Sequence, residues 1–209
     1  MSAPRPRLVE LDVADAPDAW RALGFAVDGA GRCRVGATDL VLGGGTGGLQ
    51  GWALEGVIPA ADGIDGVPTA VADSEPGRAA PRHVNGVIAI DHVVVMTPDT
   101  VRTFEALEAA GLELRAVRDA GTPERPLRQG FLLTAEAIVE VVGPPEAAGD
   151  EPARLWGVTF VVDDLDATCA ELGDRVGEAR DAVQPGRRIA SVRRSAGLAV
   201  PVAFMTPRV

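Results

Sequence analysis

Few residues in this chain of 209 amino acids could carry nucleophilic or thiolate chemistry. The sequence contains two histidines, His83 and His92, and two cysteines, Cys33 and Cys169, whose separation fits no metal-binding or redox spacing. We expect both cysteines to be small, buried or half-buried apolar residues. Because the chain also lacks a Gly-x-Ser-x-Gly turn, a hydrolase triad is not expected.

Two arginine pairs, Arg187-Arg188 and Arg193-Arg194, form the densest basic patch. Such charges protect a solvated strand edge, but they also suit an anion-binding rim for a carboxylate or phosphate ligand, and both interpretations stay open. The glycine-rich run from Gly43 to Gly48 lacks the lysine and Ser/Thr of a P-loop. It therefore predicts a hairpin turn or a flexible link.

Composition and charge narrow the class of protein. Thirty acidic residues against 20 basic ones give a formal net charge of −10. This charge argues against a nucleic-acid partner, because phosphate contacts need clustered cations. With 46% hydrophobic residues, 25 glycines and 16 prolines, the chain is expected to be globular and built from many short elements. No apolar run approaches a membrane span, so we expect a soluble, cytoplasmic protein without a membrane partner.

The elements that would position chemical groups follow a repeated pattern. Residues 88–96 form a β-branched apolar run, which predicts a buried strand. A helix is predicted from Asp99 to the stop signal at Gly111. Three further strands are predicted near 112–117, 129–133 and 137–142, with a Pro- and Gly-rich turn region through Pro126 after the first of them.

The same order starts again at Trp156. A strand at 156–162 and a short helix at 167–172 are followed by predicted strands near 175–179, 189–193 and 201–205. When Pro98 is aligned with Asp163 and Pro144 with Pro207, the two spacings agree to within two residues. This agreement indicates a tandem βαβββ repeat, with modules at 87–145 and 154–209.

The first 85 residues repeat this order in a weaker form. A helix opens at Pro17-Asp18, a Gly/Pro/Asp-rich connection fills 59–85, and strands are predicted near 8–13, 25–27, 32–35, 40–42 and 50–58. We therefore expect two parts. Residues 1–85 would be a degenerate N-terminal βαβββ-like module with its connection, and residues 86–209 would be the paired modules.

A βαβββ tandem with histidine in its first strand and glutamate in its last resembles the vicinal-oxygen-chelate superfamily, which includes glyoxalases, bleomycin-resistance proteins and extradiol dioxygenases. The segments that carry the likeness are Ile90–Val95, Pro98-Asp99, Ile138–Pro144 and Phe160–Asp166. The resemblance implies an α+β fold in which the paired modules curl into an open mixed-sheet cup. The N-terminal module would lie beside or across that cup.

In that family the first and last strands of each module supply one metal ligand apiece, usually His or Gln and then Glu. The resemblance places His92 and Glu140 at the ligand positions of the first module, whereas Gly157 and Ala203 occupy the matching positions of the second and cannot bind metal. It thus implies half of a divalent-metal site, which other groups or a second subunit would have to complete. Otherwise His92 and Glu140 form a hydrogen-bonded pair in a cavity. In either case Glu140 is the candidate general base.

The resemblance also implies a small-molecule pocket in the cup, with room opened at the positions of Gly157 and Ala203. The candidate lining residues are Arg128, Gln129, Phe131, Trp156, Phe160 and Phe204. The alternative is that these aromatic side chains belong to the core and that Arg128 lies on the surface.

Two functions follow as expectations. One is a glyoxalase-like small-molecule enzyme of the lyase or isomerase type. The other is a metal-free binding or antibiotic-sequestering protein, whose acidic charge would steer a cationic ligand toward the cup. If the N-terminal module takes the place of a second subunit, the protein is a pseudo-dimeric monomer; otherwise we expect a homodimer.

Overall fold

A computed structural model of the chain describes residues 4–43, 45, 47–73 and 78–208. The described residues form two sheets with three α-helices, which confirms the predicted α+β class. Among them, no helix is long and apolar enough to span a lipid bilayer.

The first sheet has five strands in the spatial order β2-β3-β1-β4-β5. Helix α1 (Pro17–Ala22) follows the first strand, and the strands are β1 (Arg7–Val13), β2 (Arg32–Val35), β3 (Thr38–Leu42), β4 (Leu49–Glu55) and β5 (Thr69–Val71). The glycine run at 43–48 joins β3 to β4, which lie on opposite sides of β1, and its Gly44 and Thr46 fall outside the described residues. The strand predicted at 25–27 is not formed.

The second sheet has eight strands in the order β11-β12-β13-β10-β6-β9-β8-β7. Its first module comprises β6 (Val87–Met96), α2 (Thr100–Ala109), β7 (Glu113–Thr122), β8 (Arg125–Leu133) and β9 (Ile138–Gly143). Its second module comprises β10 (Arg154–Val162), α3 (Leu165–Leu172), β11 (Arg180–Asp181), β12 (Arg188–Ser191) and β13 (Val202–Met205). The predicted pair of βαβββ units is thereby confirmed.

The two modules are related through the central strand pair. β6 and β10 run antiparallel, and each pairs on its other side with the last strand of its own module in parallel. Asp99 caps α2 by accepting a hydrogen bond from the Arg102 N–H, and Asp164 caps α3 in the same way from Asp166 and Ala167. These equivalent caps start both helices at the same point of the repeat.

Two predicted details of the modules are wrong. The turn region predicted through Pro126 is a long hairpin, because β7 continues to Thr122 and Gly121 adopts a positive φ of 82° just before the turn. The strand predicted at 175–179 is largely absent, since a 3₁₀ turn at Gly173–Arg175 precedes the two-residue strand β11.

The apolar core is continuous between the sheets. The first strand of the large sheet begins at Val87, close to the boundary predicted at residue 85. Whether this point is also a boundary between domains stays a prediction. Trp20 and Phe25 from the N-terminal unit pack on Phe160 and Phe204, with centroid distances of 6.1 Å for Trp20–Phe160 and 5.1 Å for Phe25–Phe160. The N-terminal unit therefore covers the convex face of the second module and leaves the concave face open.

Candidate active site

The concave face of the large sheet encloses a cavity of about 610 Å³. Its lining is mostly apolar. Three polar side chains, His92, Gln129 and Glu140, contact one another on β6, β8 and β9, and three more, Thr159, Arg180 and Ser191, lie on strands of the second module. The lining residues are His92, Val94, Met96, Leu127, Gln129, Glu140, Val142, Trp156, Gly157, Val158, Thr159, Arg180, Ile189, Ser191, Val192, Pro201, Val202 and Ala203. A volume and lining of this kind suit a small organic ligand; the name cup is kept below for this cavity.

His92 and Glu140 meet inside the cup. They project from the neighbouring parallel strands β6 and β9, and His92 Nε2 lies 3.4 Å from Glu140 Oε2. On its other side, His92 Nδ1 lies 2.8 Å from Asp91 Oδ2. An ionised carboxylate can only accept, so His92 Nδ1 carries a hydrogen and donates it to Asp91, while Nε2 faces Glu140. The predicted His–Glu pair is thus a three-residue array with a fixed imidazole.

Gln129 and Arg118 hold the other side of Glu140. The Gln129 amide Nε2 donates to Glu140 Oε1 at 2.6 Å, and Arg118 Nε donates to Gln129 Oε1 at 2.8 Å. The Arg118 guanidinium also lies over the Phe131 ring, 5.2 Å from its centroid. Because the arginine can only donate, it fixes which end of the Gln129 amide faces Glu140.

Burial raises the pKa of the Glu140 carboxyl above its ordinary value, and the negative charge of Asp91 adds to this effect. The positive charges of His92 and Arg118 act in the opposite direction without cancelling it. A carboxylate with a raised pKa is a stronger base, and it can also return the proton that it accepts. The electrostatics of the cup therefore suit Glu140 to proton transfer.

Asp91 forms a buried ion pair beneath this array. Burial opposes its ionisation, but hydrogen bonds from His92 and Arg187 outweigh that cost and lower the pKa of Asp91 to about 2. The Arg187 Nη2 atom lies 2.7 Å from Asp91 Oδ1, and the guanidinium also donates to the carbonyl oxygen of Thr206 at 2.7 Å. The ion pair connects β6 to the segments next to β12 and β13. It thereby holds Asp91 in the position from which Asp91 orients the imidazole of His92.

The second module does not complete a metal site. Gly157 and Ala203 lie where the repeat places them, because Thr159 pairs with Ala203 as Val94 pairs with Glu140. A Cβ atom at Gly157 would come within 2.7 Å of the Pro201 carbonyl oxygen, so the expectation that its missing side chain opens room in the cup is wrong. Among the described residues, no three His, Cys, Asp or Glu side chains group as metal ligands. A four-ligand divalent site does not fit the donors present among the described residues.

The predicted lining residues divide by the strand face on which they lie. Gln129 and Trp156 line the cup, and Phe131 lies on the same face opposite Glu140 but beneath Arg118. Phe160 and Phe204 were expected in the pocket, which is wrong, because both are completely buried in the core on the convex face.

The prediction that Arg128 lines the pocket is also wrong. It neighbours Gln129 on β8 and therefore projects away from the cup. Its guanidinium instead donates to Asp119 at 2.9 Å and to the carbonyl oxygen of Pro145 at 3.0 Å. These contacts place Arg128 on the surface of the sheet, as the alternative interpretation held.

Three functional side chains, Asp91, Arg118 and Thr159, are absent from the sequence-based set, and Arg187 was named there only as part of a basic patch. Asp91 carried a usable signal, since an acidic residue inside a buried strand needs a partner. Thr159 lies directly opposite His92 in the β6–β10 register, two residues after Gly157 on the same face. Arg118 lay in the segment interpreted as a turn, and the contact of Arg187 with Asp91 spans two modules, so neither could be found from local pattern.

Comparisons with known proteins support the fold. No protein-family model matches the sequence, and no curated protein matches it. A triple mutant of 4-hydroxymandelate synthase from Streptomyces coelicolor superposes with a TM-score of 0.65 at 16% identity, covering 98% of this chain and 93% of that chain. Methylmalonyl-CoA epimerase from Mycobacterium tuberculosis covers 59% of this chain and 91% of that chain, with a TM-score of 0.46 at 19% identity.

The synthase, which superposes over almost the whole chain, is a vicinal-oxygen-chelate protein. The predicted resemblance to that superfamily is thereby confirmed at the level of the fold: the chain has paired βαβββ modules of the vicinal-oxygen-chelate kind. At such low identity the similarity defines the fold alone, and the chemistry has to be argued from the side chains of the cup.

Proposed function

We propose that the chain is a small-molecule enzyme of the isomerase or lyase type, in which Glu140 transfers a proton on a ligand held in the cup. The observation that carries this proposal is the position of Glu140: a half-buried carboxyl with a raised pKa, at the polar side of an apolar cavity of about 610 Å³. Perturbed carboxyls inside clefts are typical of acid–base sites.

The reaction that this arrangement suits starts from a C–H bond next to a carbonyl group. Glu140 accepts the proton, the electron pair of the C–H bond moves toward the carbonyl oxygen, and an enolate forms. Return of the proton from Glu140 to a neighbouring carbon on the same face completes an isomerisation; departure of a leaving group from the β-carbon completes a lyase reaction. The apolar wall excludes water from the enolate, and the Thr159 hydroxyl on the cup wall can donate to its oxygen.

His92 and Gln129 have positioning roles in this proposal. Each contacts a different oxygen of Glu140, so the carboxyl cannot rotate freely within the cup. Asp91 holds the ring of His92, and Arg118 holds the amide of Gln129. Preorganised contacts of this kind lower the cost of aligning a base with a substrate proton.

Hydrogen exchange tests the proposal without knowledge of the substrate. A panel of 2-oxo acids, 1,3-dicarbonyl compounds and acyl thioesters is incubated with the protein in D₂O, and loss of the α-proton signal is followed by ¹H NMR. Substitution Glu140→Gln should lower the exchange rate at least ~100-fold, because a general base contributes that much or more. The surface substitution Glu178→Gln is the control and should leave the rate unchanged. Equal rates for Glu140→Gln and wild type would refute the role of Glu140.

The second candidate is a metal-free binding protein. It is favoured by the mostly apolar lining of the cup and by the loss of ligand side chains at Gly157 and Ala203. Saturable binding of panel compounds without exchange would select this candidate. Metal content after incubation with Mn, Fe, Co, Ni and Zn tests the cofactor directly, with His92→Ala/Glu140→Ala as the control. One ion per chain, lost in the double variant, would show that other groups complete the site.

A further inference from the structure

A second cavity adjoins the cup. It also measures about 610 Å³, and it shares Trp156, Val192 and Pro201 with the cup as common wall residues. Gly47 and Gly48 contribute its wall on the side of the N-terminal unit. A ligand longer than the cup could therefore extend past Trp156 into this second space, which is called the arginine pocket below.

Three arginines line the arginine pocket: Arg154, Arg193 and Arg194. None forms an ion pair with a residue that the structure describes, although many other arginines of the chain do. Arg193 Nε donates to the carbonyl oxygen of Val176 at 2.8 Å, which anchors the side chain and leaves both terminal nitrogens for a ligand. Guanidinium groups arranged in this way are typical partners of carboxylate and phosphate oxygens.

The charge around the pocket opposes the charge of the whole chain. No acidic side chain belongs to its described lining, although the formal net charge is −10. A carboxylate behind the wall, Asp15, is buried and accepts hydrogen bonds from the Ala199 N–H at 2.8 Å and the Val200 N–H at 3.3 Å. Asp15 thus braces the loop that carries part of the pocket, and its lone pairs face that loop.

We propose that the arginine pocket binds the oxyanion group, a phosphate or a carboxylate, of the ligand whose reactive part occupies the cup. Trp156 would lie against the middle of such a ligand, since its side chain is 41% exposed and belongs to both walls. The assignment of the reactive part rests on the proposed function, whereas anion binding by the pocket can be measured on its own. The structure then explains the Arg193-Arg194 pair as an anion-binding rim.

Tryptophan fluorescence gives a direct test. Trp20 and Trp52 are fully buried, so Trp156 is the tryptophan whose emission responds to a ligand in the pocket. Inorganic phosphate, pyrophosphate and malonate are titrated at constant ionic strength, because salt alone screens exposed charges. The variant Trp156→Phe identifies the reporter, and isothermal titration measures binding independently of it. Saturation by the phosphates alone would assign a phosphate group, and saturation by malonate alone would assign a carboxylate.

A pair of matched double variants separates site binding from overall charge. The double variant Arg193→Gln/Arg194→Gln should lower the affinity for the anion at least ~10-fold, because charged hydrogen-bond donors are lost. Arg82→Gln/Arg125→Gln removes the same charge from exposed positions that do not line the pocket, and should keep the wild-type affinity. Equal weakening in both double variants, or no saturation by any of the three anions in wild type, would overturn the proposal.

Glu140→Gln separates this inference from the proposed function. Glu140 does not line the arginine pocket, so this variant should lose proton exchange and still bind the anion with wild-type affinity. Anion binding without any exchange in wild type would leave the pocket established and remove only the assigned chemistry.

Discussion

Replacing Asp91 with asparagine should destabilise the protein strongly and in a pH-dependent way. Asp91 is 5% exposed, and its pKa falls from an ordinary 3.8 to about 2 in the folded chain. This difference of almost two units corresponds to about 2.5 kcal/mol of folding free energy at neutral pH. The loss of one partner from a buried ion pair costs about 3 kcal/mol or more, which agrees with this value.

The sign of the pH dependence follows from the depressed pKa. The ionised form is favoured by folding, so its contribution is complete above the ordinary pKa and is lost as the pH falls toward 2. Between pH 5 and pH 3 wild type should lose about 1 kcal/mol through this group alone. Asp91→Asn has no carboxyl to protonate at this position and therefore does not lose this stability. The difference in unfolding free energy between wild type and variant should thus become about 1 kcal/mol smaller between pH 5 and pH 3.

Urea denaturation at pH 7, 5 and 3 measures both quantities. Asp166→Asn is the matched control, because Asp166 pairs with Arg188 in an exposed ion pair at 2.9 Å, and such pairs contribute little. A destabilisation by Asp91→Asn as small as that of the control would contradict the argument. A large destabilisation that does not vary with pH would also contradict it, since the ionisation of Asp91 would then not be coupled to folding.

Three further outcomes are expected. Glu140→Gln should raise the free energy of unfolding at pH 8 and not at pH 4, because a raised pKa means that folding favours the protonated form; equal effects at both pH values would contradict this. His83 has its pKa lowered chiefly by burial, so wild type should lose stability as the pH falls below ~6.5, and His83→Gln should flatten that slope in thermal unfolding curves. Gly157→Ala should cost about 1–3 kcal/mol because its Cβ would approach the Pro201 carbonyl oxygen, whereas Gly177→Ala meets ordinary contacts and should be nearly neutral by urea denaturation.

The repeat could be predicted because it depends on local order, whereas the proximity of His92 and Glu140 was implied by the resemblance to the vicinal-oxygen-chelate superfamily. Each βαβββ module has its own apolar strands and capped helix, and parallel pairing of the first and last strands follows from that sequence of elements. The matching positions Gly157 and Ala203 were also placed correctly, since the two strands of the second module keep the same register.

The errors at Phe160, Phe204 and Arg128 have one cause. Successive residues of a strand project to opposite faces, so neighbours of cup-facing Ala203 and Gln129 have to face away. The same alternation places Phe160 on the convex face with Trp20. Strand alternation, rather than aromatic character, decides which of these side chains line the cup.

Other parts of the site could not be predicted from one sequence. The contact of Arg187 with Asp91 joins two modules, and the bulges in β10 near Gly157 and Phe160 depend on the pairing with β6. The role of Arg118 depends on how far the β7–β8 hairpin extends, which a Pro- and Gly-rich segment does not reveal.

The aromatic contacts between the two sheets affect the order in which the protein can fold during synthesis. Trp20 and Phe25 leave the ribosome long before Phe160 and Phe204, on which they pack. The nascent N-terminal unit therefore carries an uncovered apolar face until the second module has been translated. Contacts so distant along the chain slow folding and expose intermediates to aggregation. Emergence of the second module from the ribosome, rather than closure of the first sheet, should set the pace of productive folding, and chaperones that bind exposed aromatic surface should increase the yield.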